Sequence, residues 1–159
     1  MQWCEKYSIG IDEIDRQHRI LLDFVTQVER AVNHGGRWSE IYFPLVRLRE
    51  YTRTHFGLEE SLMRMSDYSD TERHVEEHHN ILQKMQSLEN RSLRTDVTSD
   101  MTHFLRDQLV SHFLYQDMGY AYHFANGGFI AVRNHSSTSK LIETELLVAK
   151  EMSRIEDGR

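Results

Sequence analysis

Proline is almost absent from this sequence: it occurs once in 159 residues, and glycine occurs eight times. So few breakers leave long helices uninterrupted, which puts an all-α fold ahead at the outset. Cysteine is as scarce. The lone Cys4 excludes an internal disulfide framework and fits a reducing compartment. No apolar run approaches the roughly 20 residues needed to cross a bilayer. The N-terminus Met1-Gln2-Trp3-Cys4-Glu5 lacks a basic stretch followed by an apolar one, so no signal peptide is expected and the expected location is cytoplasmic. Positive charge is also lacking. The net charge of −6 speaks against a nucleic-acid partner, which needs a basic face. Hydrophobic residues make up 39% and charged residues 28%, the balance of an ordinary domain able to bury a core.

What the chain has in excess is histidine, ten in all. Their meaning depends on the helices that carry them. Four helices are predicted. The first spans Asp12 to Asn33, with Ser8 or Asp12 as its cap and Gly35-Gly36 as its stop. The second begins between Ser39 and Pro44 and ends near Met65, since a proline deep in a helix is costly. The third spans Asp70 to Asn90, with Ser69 and Glu72 placed as a capping box. The fourth spans Thr98 to about Tyr122, before Asn126-Gly127-Gly128. Short links between long helices favour antiparallel neighbours, hence an all-α, up-down-up-down four-helix bundle over residues 1–122.

Each helix shows a core-facing stripe at spacings of three and four. The stripes are Ile14, His18, Leu21, Val25, Val28 and Val32; then Leu45, Leu48, Thr52, His55, Glu59 and Leu62; then Thr71, His74, His78, Ile81, Met85 and Leu88; and finally Met101, Leu105, Leu109 and His112. Histidine or glutamate interrupts every stripe. An unpartnered polar group in a core costs on the order of 1–3 kcal/mol, so something must satisfy these.

The interruptions fall early in the first helix (His18), late in the second (His55, Glu59), early in the third (His74, His78) and late in the fourth (His112, Asp117). In an antiparallel bundle all four places meet at one end. Local spacing supports a shared site. His55 and Glu59 are i and i+4, as are His74 and His78, so each pair shares a face. His112 and Asp117 are i and i+5, about 140° apart on an ideal α-helix. That pair needs a widened turn or an approach from both flanks of the seam. Imidazole and carboxylate without thiolate suit iron, manganese or zinc. Seven protein ligands exceed what one ion takes. If Glu59 and Asp117 bridge two six-coordinate ions, together with a solvent-derived oxo or hydroxo group, five histidines leave one position open.

The segments Ile14-Asp15-Arg16-Gln17-His18, His55-Phe56-Gly57-Leu58-Glu59-Glu60, His74-Val75-Glu76-Glu77-His78 and His112-Phe113-Leu114-Tyr115-Gln116-Asp117 resemble the bacterial hemerythrins, from about Trp3 to Tyr122. The resemblance implies two iron ions. His74, His78 and His112 would bind a six-coordinate iron, His18 and His55 a five-coordinate one, and Glu59 and Asp117 would bridge them. It further implies that dioxygen binds end-on at the open iron of the reduced pair, with Ile14 and Leu21 as candidate pocket walls.

Several features have a plainer reading. His34, His79, His103, His123 and His135 are off the pattern and read as surface or structural. A ferritin-like carboxylate site would need two Glu-x-x-His motifs, and the chain offers one such spacing, Glu76 to His79. Mid-helix Gly57 is either tolerated or lets a neighbour approach. Trp3 is expected to pack on the bundle. Residues 123–159 fall outside the resemblance and read as a loop followed by a helix from Leu141 to Ile155, with Leu141, Val148 and Ile155 seven apart. A homodimer contact or an output domain is the partner such an extension would serve. Two functions follow: oxygen carriage or storage, and oxygen or redox sensing. A di-iron enzyme reducing peroxide or nitric oxide is the alternative.

Overall fold

A computed structural model describes residues 3–35, 37–93 and 98–128; the expected tail helix and His135 lie outside them. A short 3₁₀ turn, Glu5–Tyr7, precedes α1 (Asp12–Asn33), α2 (Trp38–Met65) and α3 (Thr71–Ser92). The fourth arm is one continuous helical rod of changing pitch. It starts as α4 (Thr98–Phe104), widens into π-helix over Leu105–Val110 and again over His112–Gln116, returns to α-helix as α5 (Asp117–His123), and ends in a π turn, Phe124–Gly128. Helical backbone thus runs past the expected end near Tyr122. No strand occurs among the described residues.

The helix ends show where local chemistry departs from expectation. Neither Ser8 nor Asp12 caps α1; the cap position is Ile11. Instead the Asp15 carboxylate accepts the Ser8 hydroxyl and the Ile9 N–H, the latter at 2.8 Å, which ties the N-terminal arm to the helix. Asp12, Glu13 and Asp15 place negative charge at the positive end of the helix dipole. The helix stops at Gly35, whose φ of +63° is a left-handed conformation that costs glycine little. α2 starts ahead of Pro44 and runs through it. Its first turn is held by the Glu40 carboxylate, which accepts the Arg37 N–H at 2.6 Å. The predicted Ser69–Glu72 box does not form. α3 begins one residue later, with Asp70 at the cap, and the Thr71 hydroxyl instead bonds the Tyr68 carbonyl at 2.6 Å.

The antiparallel order can be read from long-range ion pairs. On α2 and α3, Arg49 meets Glu89 at 2.6 Å and Glu60 meets His78 at 3.0 Å; partners rise by 11 on one helix and fall by 11 on the other. On α1 and the fourth arm, His18 meets Asp117 and Glu29 meets Arg106, with the same opposed steps of 11. All the stripe residues named from the sequence are buried. The apolar core is nevertheless split. A larger cluster includes Leu21, Val28, Leu48, Met85 and Leu105, and a smaller one includes Ile14, Leu58, Met63, Tyr120 and Phe124. The buried histidines and carboxylates lie between them. No helix among the described residues is long and apolar enough to cross a membrane.

Leu48 is fully buried in the larger cluster, whereas Phe43 is 60% exposed. Leu48→Ala should therefore cost about 2–5 kcal/mol of unfolding free energy, and Phe43→Ser less than about 0.5. Denaturant titration of both variants measures the contrast; equal effects would contradict the packing described.

Candidate metal centre

The seven residues singled out by pattern come together at one end of the bundle, and every one is buried. α1 supplies His18. α2 supplies His55 and Glu59, and α3 supplies His74 and His78, each pair one helical turn apart. The fourth arm supplies His112 and Asp117 by the widened turn that their spacing requires. The backbone N–H of Asp117 donates to the carbonyl of His112 across a π turn. A π turn closes at i+5 rather than i+4, so the two side chains return to one face.

The two carboxylates sort the histidines into two groups. Asp117 turns Oδ2 to His18 Nε2 at 3.2 Å, and Oδ1 to His74 Nε2 at 3.2 Å and His112 Nε2 at 3.3 Å. Glu59 turns Oε1 to His55 Nε2 at 3.6 Å and His18 Nε2 at 4.0 Å, and Oε2 to His78 Nε2 at 3.2 Å. Each carboxylate thus spans both groups. His74, His78 and His112 with both carboxylates form one cluster whose donor atoms lie within 4.8 Å of one another; His18 and His55 with both carboxylates form the other.

The hydrogen-bond inventory sets this cluster apart from an ordinary buried polar network. The Nε2 atoms of all five histidines, both Asp117 oxygens and Glu59 Oε2 have no hydrogen-bond partner. Buried polar atoms are almost always paired, and unpaired ones gathered within 4.8 Å of one another in each group are a donor set that a cation would satisfy.

The far sides of the rings are occupied. His55 Nδ1 faces Gln17 Oε1 at 3.0 Å, and Gln17 Nε2 donates to Glu13 at 2.9 Å. A carboxylate only accepts, so Glu13 fixes the Gln17 amide with its oxygen toward His55. His55 therefore carries its proton on Nδ1 and presents a bare Nε2. His78 Nδ1 donates to Glu60 at 3.0 Å, and His112 Nδ1 lies 3.7 Å from Glu77. Tyr120, fully buried, donates its hydroxyl to Glu59 Oε1 at 2.8 Å. Such outer partners fix ring orientation and tautomer in metal sites.

Electrostatics favour neutral imidazoles in two places. Burial pushes His55 well below the usual histidine range, with His18 adding to the effect. Burial also takes His112 down to about 3, against the pull of Asp117. For His78, burial lowers the value, but the Glu59 carboxylate facing Nε2 and the hydrogen bond to Glu60 outweigh it and lift it to about 9. Burial and the repulsion of Asp117 raise Glu59. Burial would raise Asp117 too, yet the surrounding His112, His18 and His74 hold it well below the carboxylate range.

Aromatic rings wall the site. Phe56 stacks on His78 at 3.6 Å between centroids and 6° between planes, and Phe113 stacks on His18 at 4.9 Å. Ile14 and Leu21, expected as walls, are both fully buried but belong to the two different core clusters on either side of the site. Gly57 has open space where a Cβ would stand, so it is tolerated rather than required; the close approach is at Gly119, where a Cβ would meet the Tyr68 hydroxyl at 2.9 Å.

Pattern reasoning missed Gln17, Glu60, Glu77, Tyr120, Phe56 and Phe113. Gln17 and Glu60 sit beside His18 and Glu59 in sequence but act on rings of other helices, and no local spacing reports that. The off-pattern histidines behave as expected. His34, His79 and His103 are exposed, and His123 Nε2 bonds the Ser66 carbonyl at 2.7 Å. Glu76 is exposed as well, so the Glu76–His79 spacing builds no core site. Trp3 packs against the larger core cluster with the Arg19 guanidinium over its ring at 4.2 Å.

Comparison with known proteins agrees with this geometry. The chain is 30% identical over 115 residues to a bacteriohemerythrin of Methylococcus capsulatus, covering 70% of this chain and 87% of the relative. It is 25% identical over 124 residues to one of Clostridium acetobutylicum, covering 74% and 96%, and 26% identical over 119 residues to one of Pseudomonas aeruginosa, covering 74% and 77%. No solved structure matches the chain significantly. The family model described as the hemerythrin HHE cation binding domain matches residues 9–122, most of the chain and all seven clustered residues, and the chain therefore belongs to the hemerythrin family.

Proposed function

We infer that the chain binds two iron ions at this centre and, through them, binds dioxygen reversibly. The observation that carries the reading is the set of five buried Nε2 atoms without a hydrogen-bond partner, divided three and two about a pair of carboxylates that each face both groups. His74, His78 and His112 would hold one ion and His18 and His55 the other, with the Glu59 and Asp117 carboxylates facing both. Nitrogen and oxygen donors without sulfur suit iron. When bound, the iron pair supplies the electrons that make dioxygen binding reversible.

The chain's own residues do the rest. Gln17 and Glu60 hold the tautomers of His55 and His78. Phe56 and Phe113 fill the space against the rings and keep water from the donor atoms. Tyr120 satisfies the Glu59 oxygen on the two-histidine side. The two-histidine group offers one imidazole fewer than its neighbour, so an ion held there would have a coordination place left for a small molecule. Carriage or storage needs nothing beyond such a centre. Sensing would act through residues 123–159, most of which lie outside the described residues.

Metal analysis after iron loading should give two irons per chain, and His78→Ala should lose iron while His79→Ala, on the exposed face, keeps both. One metal per chain, or a His78→Ala protein that retains two, would sink the assignment. Anaerobic reduction followed by oxygen should produce a visible absorption band that vanishes under argon and returns with oxygen. Steady consumption of peroxide or nitric oxide at many turnovers, without such a reversible band, would point to the enzyme instead. Iron is expected to bind only the folded chain, so loading should also raise the unfolding free energy, by about 2.7 kcal/mol for a site at 100-fold excess over its dissociation constant, read from denaturant titration.

A further inference from the structure

The second ring of partners is not symmetric about the two metal positions. On the three-histidine side, His78 Nδ1 donates to the Glu60 carboxylate at 3.0 Å, and His112 Nδ1 faces the Glu77 carboxylate at 3.7 Å. The first is a hydrogen bond; the second is too long for one and acts as a nearby charge. On the two-histidine side, His55 Nδ1 meets a neutral amide, Gln17 Oε1, at 3.0 Å. His18 Nδ1 is buried with no partner. Tyr120 donates to Glu59 Oε1, the carboxylate oxygen that faces His55 and His18.

These differences all act in one direction. A carboxylate behind an imidazole makes its far nitrogen a stronger donor, and a neutral amide or no partner does not. A hydroxyl donated to a carboxylate oxygen withdraws electron density from that oxygen. The carboxylates near the three-histidine side do have cationic neighbours, Arg64 near Glu60 and Arg73 at Glu77. Both guanidiniums are about half exposed, at 52% and 51%, and are screened by solvent, whereas the imidazoles are buried. Glu13, behind Gln17, stands one residue further from the ring and is bonded to Arg16.

We propose that this ring sets a charge polarity across the pair: Glu60 and Glu77 equip the three-histidine position for the ion of higher charge, and Gln17 and Tyr120 equip the two-histidine position for the ion of lower charge. The proposal rests on the reading that two irons bind. These are positioning residues, since none of them touches the ion. Starting from the fully oxidised centre, one electron from a mediator-coupled electrode enters at the two-histidine position and a second, at lower potential, enters at the three-histidine position. Each electron lowers one ion from ferric to ferrous.

The test is a redox titration of the iron-loaded chain beside two variants. The wild-type protein should show two separate one-electron steps. Glu60→Gln removes the carboxylate behind His78 and should raise the lower step, leaving the upper one in place. Gln17→Glu places a carboxylate behind His55 and should lower the upper step. A tenfold change in the ratio of oxidised to reduced form reads as about 59 mV for a one-electron couple. A tenfold shift or more in each, on opposite couples, supports the polarity; a residue that only held the fold together would not move one couple selectively. A single unresolved two-electron step in the wild type, variants that keep two irons with neither couple moved, or both variants shifting the same couple would overturn it. Should Glu60→Gln lose iron, Gln17→Glu decides alone, because it keeps an acceptor at His55. A wild-type chain without two irons would defeat the iron reading itself, which metal analysis shows before any potential is measured.

Discussion

Five imidazoles and two carboxylates are buried together toward one end of this bundle, between two apolar clusters, without hydrogen-bond partners for most of the atoms that face one another. Much of the rest of the fold follows from that arrangement. Donors drawn early from α1 and α3 and late from α2 and the fourth arm meet only if neighbours run antiparallel. The apolar core cannot be continuous through such a layer, and it divides into clusters on either side. Rings confined between core clusters need fixed orientations, and Gln17, Glu60, Phe56 and Phe113 provide them by hydrogen bonds and stacking. An apolar replacement of the whole layer would pack more easily. Retaining it makes sense only if the layer has a ligand.

Most of the bundle and six of the seven clustered residues were legible in the sequence through periodicity, whereas Asp117, five residues after His112, was reached through the family resemblance. The stripes at three and four predicted burial for Ile14 through His112, and all those positions are buried. The alternation of early and late histidines required a common end, which the antiparallel order supplies. α1 has the bounds its caps and glycines suggested, Asp12 to Asn33. The misses were of two kinds. At helix ends, a side-chain cap competes with other local bonds of similar strength: the Ser69 box does not form and the Thr71 hydroxyl bonds Tyr68, while α2, its first turn held by Glu40, begins at Trp38, one residue ahead of the expected range. In the outer ring, the partners are close in space across helices and carry no mutual spacing. Gln17 acts on His55, 38 residues away, and Tyr120 acts on Glu59, 61 residues away. Nothing short of the three-dimensional register reveals which neighbour of a ligand turns toward another helix.

The electrostatics of the centre follow from crowding. Asp117 lies near His18, His74 and His112 at once, and their pull overrides the cost of its burial. Glu59 has the Tyr120 hydroxyl and His78 as close partners but also Asp117 as a like charge, and its value rises. The two carboxylates therefore differ before any cation arrives, as the two groups of histidines do. The two groups are unequal in histidine number, in outer partners and in carboxylate character.

The π turn between His112 and Asp117 joins sequence to chemistry most directly. An α-helical fourth arm could bring either residue into the site but would leave the other about 140° around the rod. Shortening the spacing to i+4 would align them on an α-helix, yet both oxygens of Asp117 must then reach across a narrower turn to three rings on three different elements. The wider turn sets the Asp117 backbone directly after the π segment, where its N–H bonds the His112 carbonyl and its two oxygens point to opposite groups. π turns are rare because their packing is loose, and they persist mainly where a functional geometry needs them. A five-residue interval among four-residue ones is thus not a flaw in the ligand pattern. It locates the place where the backbone has been reshaped so that one carboxylate can face both positions.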